Sequence, residues 1–302
     1  MKIKVQVGIV QLPATIEGKT FKKRQERTWE DLDQRLNEIG REHPDLVLLG
    51  EYANLCHRSC STDPKEYIAD EIPGPRTRQV AMLAKRFKMN IALPMFARWK
   101  GALSSYVLLL NRQGEIVDCY QKAHPTMPEQ ELGVLPGALL QPVRLDFGTV
   151  GIMTCMDIEY PEVAQVLMLK GADLLLFPHV QAGWGEVEWE IRYRSRAIDT
   201  GLYLVSACYG YPPGVWRQGM MLGRSGVVGR DGIILADMGR SIGSIIREID
   251  LDEKRRTSFF FNQHYDRTLA IQASRRPDLY GALIEDQYRL KALQQLKVSK
   301  KP

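Results

Sequence analysis

Five cysteines in 302 residues, Cys56, Cys60, Cys119, Cys155 and Cys208, are an odd and widely spaced set. They exclude a disulfide framework and predict a reducing compartment in which a thiol stays free. Long apolar runs are missing as well. Charged residues interrupt the chain before any span of membrane length, and the apolar part of MKIKVQVGIVQLP is too short for a secretion signal. A cytoplasmic protein with no membrane partner is expected. Charge of one sign is scarce: 41 Lys plus Arg against 36 Asp plus Glu leave a net +5. Only 19–27 and 297–301 are locally basic, which argues against a nucleic-acid partner. Neither GxGxxG nor GxxxxGK followed by Ser or Thr occurs, so a nucleotide loop is excluded. Cys56-His57 with Cys60 makes at most half of a tetrahedral metal set and has no second pair to complete it. No cofactor and no metal are expected. A Pro/Gly/Ser-rich linker and a fixed-period repeat are also lacking.

What the chain does have is 44% hydrophobic residues, enough for a sizeable core. Short apolar runs alternate with helical periodicity. Strands are predicted over 4–10, 46–49, 90–96, 105–110 and 116–120, and helices over 28–40 and 77–88. Further on, strands over 173–177, 202–207 and 244–249 alternate with helices over 161–170 and 187–200. Two more strands, 225–228 and 233–236, bracket Gly229-Arg230-Asp231-Gly232, a hairpin signal. The wholly apolar 46–49 reads as a strand covered on both faces. These features predict an α/β class with layered mixed sheets, organised as one domain over 1–302. Its last stretch, 279–302, reads as a C-terminal amphipathic helix with a basic tail, suited to a partner or to its own subunit.

Three polar residues stand just beyond apolar runs: Glu51 after LVLLG, Lys122 after EIVDCYQ and Cys155 after VGIMT. Sites in layered α/β proteins cluster outside the carboxyl ends of strands, which would let these residues meet. Their chemistry is complementary. A thiolate attacks a carbonyl or nitrile carbon, a carboxylate takes the thiol proton, and an ammonium stabilises the oxyanion. Cys155 falls at a strand-to-helix corner, because Pro161 opens a helical pattern soon after it. From spacing alone, a strand-end surface role for Glu51 and Lys122 and a core role for Cys155 stand beside this reading.

Beyond this triad, VGIVQLP, DLVLLGEYAN, YQKAHPTMPEQELGVLPG and GIMTCMDIEYPEVAQVLMLKGADLLLFP occur in order, followed by RYRSRAIDTGLYLVSACYG and GRSGVVGRDGIILAD. In these blocks the chain resembles the carbon–nitrogen hydrolase family, or nitrilase superfamily, in its amidase-like branch. The resemblance implies a four-layer α-β-β-α sandwich of two mixed sheets. It also implies that Cys155 is the nucleophile, Glu51 the general base and Lys122 the cation beside the oxyanion. A second glutamate follows the lysine in many members; KAHPTMPE points to Glu129, with Glu131 as the competitor. The amide of Met156 would serve the oxyanion. Implied partners are a small-molecule amide and further copies of the chain, as a homodimer or higher homo-oligomer.

Substrate choice is read from the neighbours of the triad. True nitrilases usually carry Cys-Trp-Glu where this chain has Cys155-Met156-Asp157, which favours an amide over a nitrile. An N-carbamoyl amine, a nitrile, or an idle scaffold role are the alternatives. Some relatives place a carboxylate-binding arginine about four residues after the cysteine. Here Ile158-Glu159 stands there, which favours a neutral or cationic substrate unless Glu159 pairs with Arg192, Arg194 or Arg196. Tyr52, Trp184, Trp189 and His179 are expected near the pocket, and His124 at its edge.

Overall fold

Strand β1 (Lys4–Pro13) shows how the sequence sets the architecture. Val5, Val7 and Ile9 face one core and Val10 and Leu12 another, the period-two alternation of a strand covered on both sides. Strand β2 (Leu46–Leu49) divides the same way, with Leu46 and Leu48 on one side and Val47 and Leu49 on the other. The structure is a computed structural model describing residues 4–55, 69–182, 186–252, 256–259, 263–287 and 289–291. It divides into two compact units, Met1–Glu253 and Lys254–Pro302.

In the first unit, α1 (Phe21–Gly40) follows β1. Next come β2, β3 (Asp70–Ile72), α2 (Pro75–Phe87), β4 (Asn90–Trp99), β5 (Ala102–Leu110), β6 (Ile116–Gln121) and the short α3 (Met127–Glu131). The chain continues through β7 (Val143–Arg144), β8 (Thr149–Ile152), α4 (Pro161–Leu169), β9 (Leu174–Pro178), α5 (Glu186–Thr200) and β10 (Tyr203–Ala207). It closes with β11 (Tyr209–Gly210), β12 (Gly226–Val228), β13 (Ile234–Asp237) and β14 (Gly243–Asp250).

One mixed sheet runs β11-β1-β2-β4-β5-β6, with β14 antiparallel to β1 and β3 beside β4. The other runs β13-β12-β10-β9-β8-β7. Leu174 and Leu176 of β9 join Val5, Val7 and Leu46 in the core between the sheets, whereas Leu175 and Phe177 pack with Trp189 and Tyr193 of α5. Trp29, Leu32 and Leu36 of α1 and Val80 and Leu83 of α2 cover the outer face of the first sheet. The layers are therefore helix, sheet, sheet, helix.

Strands β2, β4 and β6 point the same way, since β2 and β4 are parallel while β5 is antiparallel to both of its neighbours. Likewise β8, β9 and β10 are parallel. Their carboxyl ends carry Glu51, Lys122, Cys155 and Val180.

The second unit opens with an antiparallel pair, β15 (Arg256–Phe259) and β16 (Gln263–Asp266), followed by α6 (Arg267–Ala273). Short 3-10 turns occupy Pro277–Leu279 and Gly281–Ile284, where the sequence predicted the start of a longer helix. Leu279 and Ile284 are both exposed, so burial does not impose the 3.6-residue repeat that they suggested. Residues 286–287 and 289–291 are helical, and the remainder of the predicted helix with its basic tail, 292–302, lies outside the described residues, as do Cys56, His57, Cys60 and Trp184.

Candidate active site

Glu51 follows β2 after one glycine. Gly50 leaves room for a close approach there, since a Cβ would come to 3.1 Å from the Cys208 carbonyl and the Tyr209 ring. The Glu51 side chain is wholly buried, and the Tyr209 hydroxyl holds its backbone carbonyl at 2.7 Å. Lys122 leaves the end of β6 and is 1% exposed. Its ammonium donates to Glu51 Oε1 at 2.8 Å and to Glu129 Oε1 and Oε2 at 2.9 and 3.0 Å.

Glu129 is the partner of Lys122, and Glu131 is exposed. The reason is local. Thr126-Met127-Pro128-Glu129 makes a capping box at the start of α3, in which Glu129 Oε2 accepts from the Thr126 amide and Thr126 Oγ1 from the Glu129 amide. The box turns Glu129 back toward Lys122, and the Tyr52 hydroxyl donates to its Oε1.

Cys155 opens a 3-10 turn, Cys155–Glu159, just past β8. Its φ of 47° is in the left-handed region, and Tyr52 across the pocket has φ 60°. Side chains seldom adopt that region, and strained residues cluster at functional sites. Asp157 locks the corner. Its Oδ2 accepts from the Thr154 amide at 2.8 Å and the Tyr120 hydroxyl at 2.7 Å, while Oδ1 faces the His124 amide at 3.0 Å and His124 Nδ1 at 2.8 Å. Substrate choice was expected from Asp157, but it is fully buried and acts as a strut.

The electrostatics follow from burial. Glu51 is pushed above its ordinary range by loss of water, against the pull of Lys122. Burial, then the charge of Glu51, raises the Cys155 thiol well above its usual value; Lys122 and the Val180 amide act the other way. Burial alone would lower Lys122, yet Glu51, Cys155 and Glu129 raise it further, so it stays an ammonium. Burial would raise Glu129, but Lys122, the Tyr52 hydroxyl and the Thr126 amide outweigh it and hold the carboxyl low. Glu51 Oε1 takes the bonds from Lys122 and from Ser105 Oγ at 3.4 Å, and Oε2 is buried without a conventional donor. The Cys155 thiol is close enough to this carboxylate for the Glu51 charge to raise the cost of forming a thiolate. A neutral thiol thus sits near a carboxylate made more basic by its surroundings, which suits proton transfer during attack.

A cavity of about 590 Å³ opens over this group. Tyr52, Lys122, Glu129, Cys155, Met156 and Glu159 contribute to its wall, together with Leu55, Phe96, Leu132 and Val180. Glu159 is paired with Arg192 Nη1 at 2.7 Å, the partner that sequence left open among three arginines. Arg196 instead donates to the Ile158 carbonyl, at 2.8 Å from Nη2.

Two expected neighbours of the pocket lie elsewhere. His179 is fully buried against Phe177, with ring centroids 4.7 Å apart, and is not in the cavity wall. Phe177 faces the helices and the His179 ring stacks on it, whereas the chain has left β9 after Pro178 and Val180 and Gln181 reach the cavity. Trp189 is buried between α5 and the second sheet. His124 stacks on Tyr160 at 4.0 Å. Tyr120, Val180 and Gln181 were not anticipated, because their roles come from tertiary placement. Among the described residues no cluster of three or more metal-ligating side chains occurs, and no helix is long and apolar enough to cross a membrane.

Known proteins resemble this chain in sequence and in fold. The chain is 28% identical over 241 residues to the human protein named deaminated glutathione amidase, covering 73% of this chain and 70% of that one. It is 28% identical over 297 residues to the chloroplastic omega-amidase of Arabidopsis thaliana, covering 92% and 74%. A carbon-nitrogen hydrolase from Helicobacter pylori G27 superposes with a TM-score of 0.72 at 26% identity, over 94% of this chain and 99% of that one. An amidase from Nesterenkonia sp. shares the fold, with a TM-score of 0.69 at 19% identity over 93% and 96%. Residues 6–259 match the family described as carbon-nitrogen hydrolase, and the chain belongs to that family.

Proposed function

We propose that this protein is a cysteine-dependent amidase that hydrolyses a small primary carboxamide to a carboxylate and ammonia. One observation carries the reading: Lys122 bridges the carboxylates of Glu51 and Glu129 in a cavity whose wall also holds Cys155. The names of the amidase relatives support the same reaction class.

In the first half-reaction Cys155 Sγ attacks the amide carbon while its proton passes to Glu51. The resulting oxyanion meets Lys122 Nζ and the amide of Met156, which lies in the first turn after the nucleophile and so has no intrahelical acceptor. Protonated Glu51 then gives its proton to the departing amino group. The C–N bond breaks, ammonia leaves, and a thioester to Cys155 remains. In the second half, water attacks the thioester carbon and gives a proton to Glu51. The C–S bond breaks, the carboxylic acid leaves, and Glu51 returns the proton to sulfur. Glu129 holds Lys122 in place throughout and stays ionised.

Ammonia release from aliphatic amides, with nitriles and N-carbamoyl amines as comparators, tests the proposal. Cys155→Ala should abolish release. Glu51→Gln should slow both halves, leaving an intact-mass adduct equal to the acyl group when acylation is forced with an activated ester. Release unaffected by Cys155→Ala, or none from any amide, overturns the reading.

A further inference from the structure

The cavity wall is largely apolar and carries the carboxylate of Glu159. Leu55, Phe96, Leu132 and Val180 line it, with the Tyr52 ring set edge-on to Phe96 at 5.8 Å. Its charged lining residues, among those described, are Lys122, Glu129 and Glu159. Lys122 already bonds two carboxylates, Glu51 and Glu129. Arg192, the partner of Glu159, also bonds Glu188 Oε1 at 2.9 Å and is not in the wall. A carboxylate on the acyl end of a substrate would lose its hydration in this cavity, meet the Glu159 charge, and find every described cation there engaged.

We propose that the pocket takes amides whose acyl group is uncharged and apolar, and that Glu159, kept in the wall by Arg192, is the residue that rejects acyl groups ending in a carboxylate. This rests on the amidase reading and deepens it. It sets the chain apart from the relatives named for omega-amide and deaminated glutathione hydrolysis. The pair also gives the proposal a sign. Removing the Glu159 charge takes away repulsion and leaves the Arg192 charge less neutralised, so both changes favour an anionic acyl group. Removing the Arg192 charge leaves Glu159 less neutralised and should sharpen the rejection. A pair that only braces the fold would move both variants the same way.

The test compares hexanamide with adipamic acid, which has the same chain length and ends in a carboxylate. Two chloromethyl ketones of matched length, one ending in methyl and one in carboxylate, provide a readout that needs no turnover. Cys155 Sγ displaces chloride from each, and intact mass follows the adduct. Wild type should prefer the uncharged member of both pairs by at least about tenfold, after correction for the rates with free cysteine. Glu159→Gln should narrow that ratio by about tenfold and Arg192→Gln should widen it. Thermal melting of both variants confirms that the compared proteins are folded. Equal or faster reaction of the carboxylate probes with wild type, or variant ratios that stay fixed or move together, overturns the proposal. Selective labelling without ammonia release from any amide would sink the amidase reading and leave the pocket assignment standing.

Discussion

Lys122 and Glu51 meet at 2.8 Å with side chains 1% and 0% exposed, a charge pair removed almost completely from water. Such a pair is expensive to form and costly to break singly, because the survivor is left charged and dry. Here the survivor would be two carboxylates, since Glu129 shares the same ammonium.

Lys122→Met should therefore lower kcat/KM by about 10²–10³-fold through loss of oxyanion stabilisation. It should also destabilise the fold by about 3–5 kcal/mol near neutral pH. The stability cost has a pH signature. Without Lys122 both carboxyls are raised above their unfolded values, so protonated forms are favoured and stability is lost as pH rises. Urea denaturation of wild type and variant should diverge from about pH 5 upward, and parallel curves would refute the shared-cation arrangement.

The raised Glu51 makes a second prediction. Attack on the substrate needs Glu51 deprotonated to accept the thiol proton, so activity is lost as pH falls through its folded value. The acid limb of kcat/KM should lie above the ordinary glutamate value of about 4.3. A limb at or below that value would show that the buried carboxylate is not the base. Glu129 cannot be the source of a raised limb, because its partners hold it low.

Asp157 is the strut of the nucleophile corner, and its removal should be felt at sulfur. Asp157→Ala strands the Thr154 amide, the Tyr120 hydroxyl and the His124 amide, so about 3 kcal/mol or more of stability should be lost. Cys155 is held at φ 47° by this corner, and relaxation of the turn should move the thiol from Glu51. The expected signature is slower alkylation of Cys155 by iodoacetamide, measured well below the melting temperature. Normal alkylation in a merely destabilised protein would reduce Asp157 to a structural role.

Much of this was legible in the sequence, for identifiable reasons. The apolar 46–49 read as a strand covered on both faces, and Glu51, Lys122 and Cys155 stood out as polar residues at the ends of apolar runs. Glu129 could have been chosen over Glu131 from the capping-box spacing of Thr126 and Glu129 alone. Thr154-x-x-Asp157 carries a related signal: the Asp157 side chain returns to the Thr154 amide, which marks it as a buried strut. His179 misled because polarity near a motif says nothing of which face a strand-end residue takes. Pairing of Glu159 with Arg192 depends on the approach of α5 to the 3-10 turn after Cys155, a tertiary contact that no local spacing encodes.

His179 supplies the last prediction. Its ring is fully buried, stacked on Phe177, and neither nitrogen has a hydrogen-bond partner among the described residues. Burial lowers its pKa from 6.5 to about 3, so the folded protein keeps it neutral where the unfolded chain would protonate it. Stability from this residue is intact above the unfolded value and is lost as pH falls toward 3. At pH 5 the loss amounts to about 2 kcal/mol, from one and a half units at 1.36 kcal/mol each. His179→Leu removes the titration while keeping an apolar side chain of similar size. The variant should match or exceed wild-type stability near pH 7.5 and gain about 2 kcal/mol on it by pH 5, measured by urea denaturation at both values. Equal acid slopes for the two proteins would mean that His179 finds a proton acceptor when folded, and would exclude burial as the control on its charge.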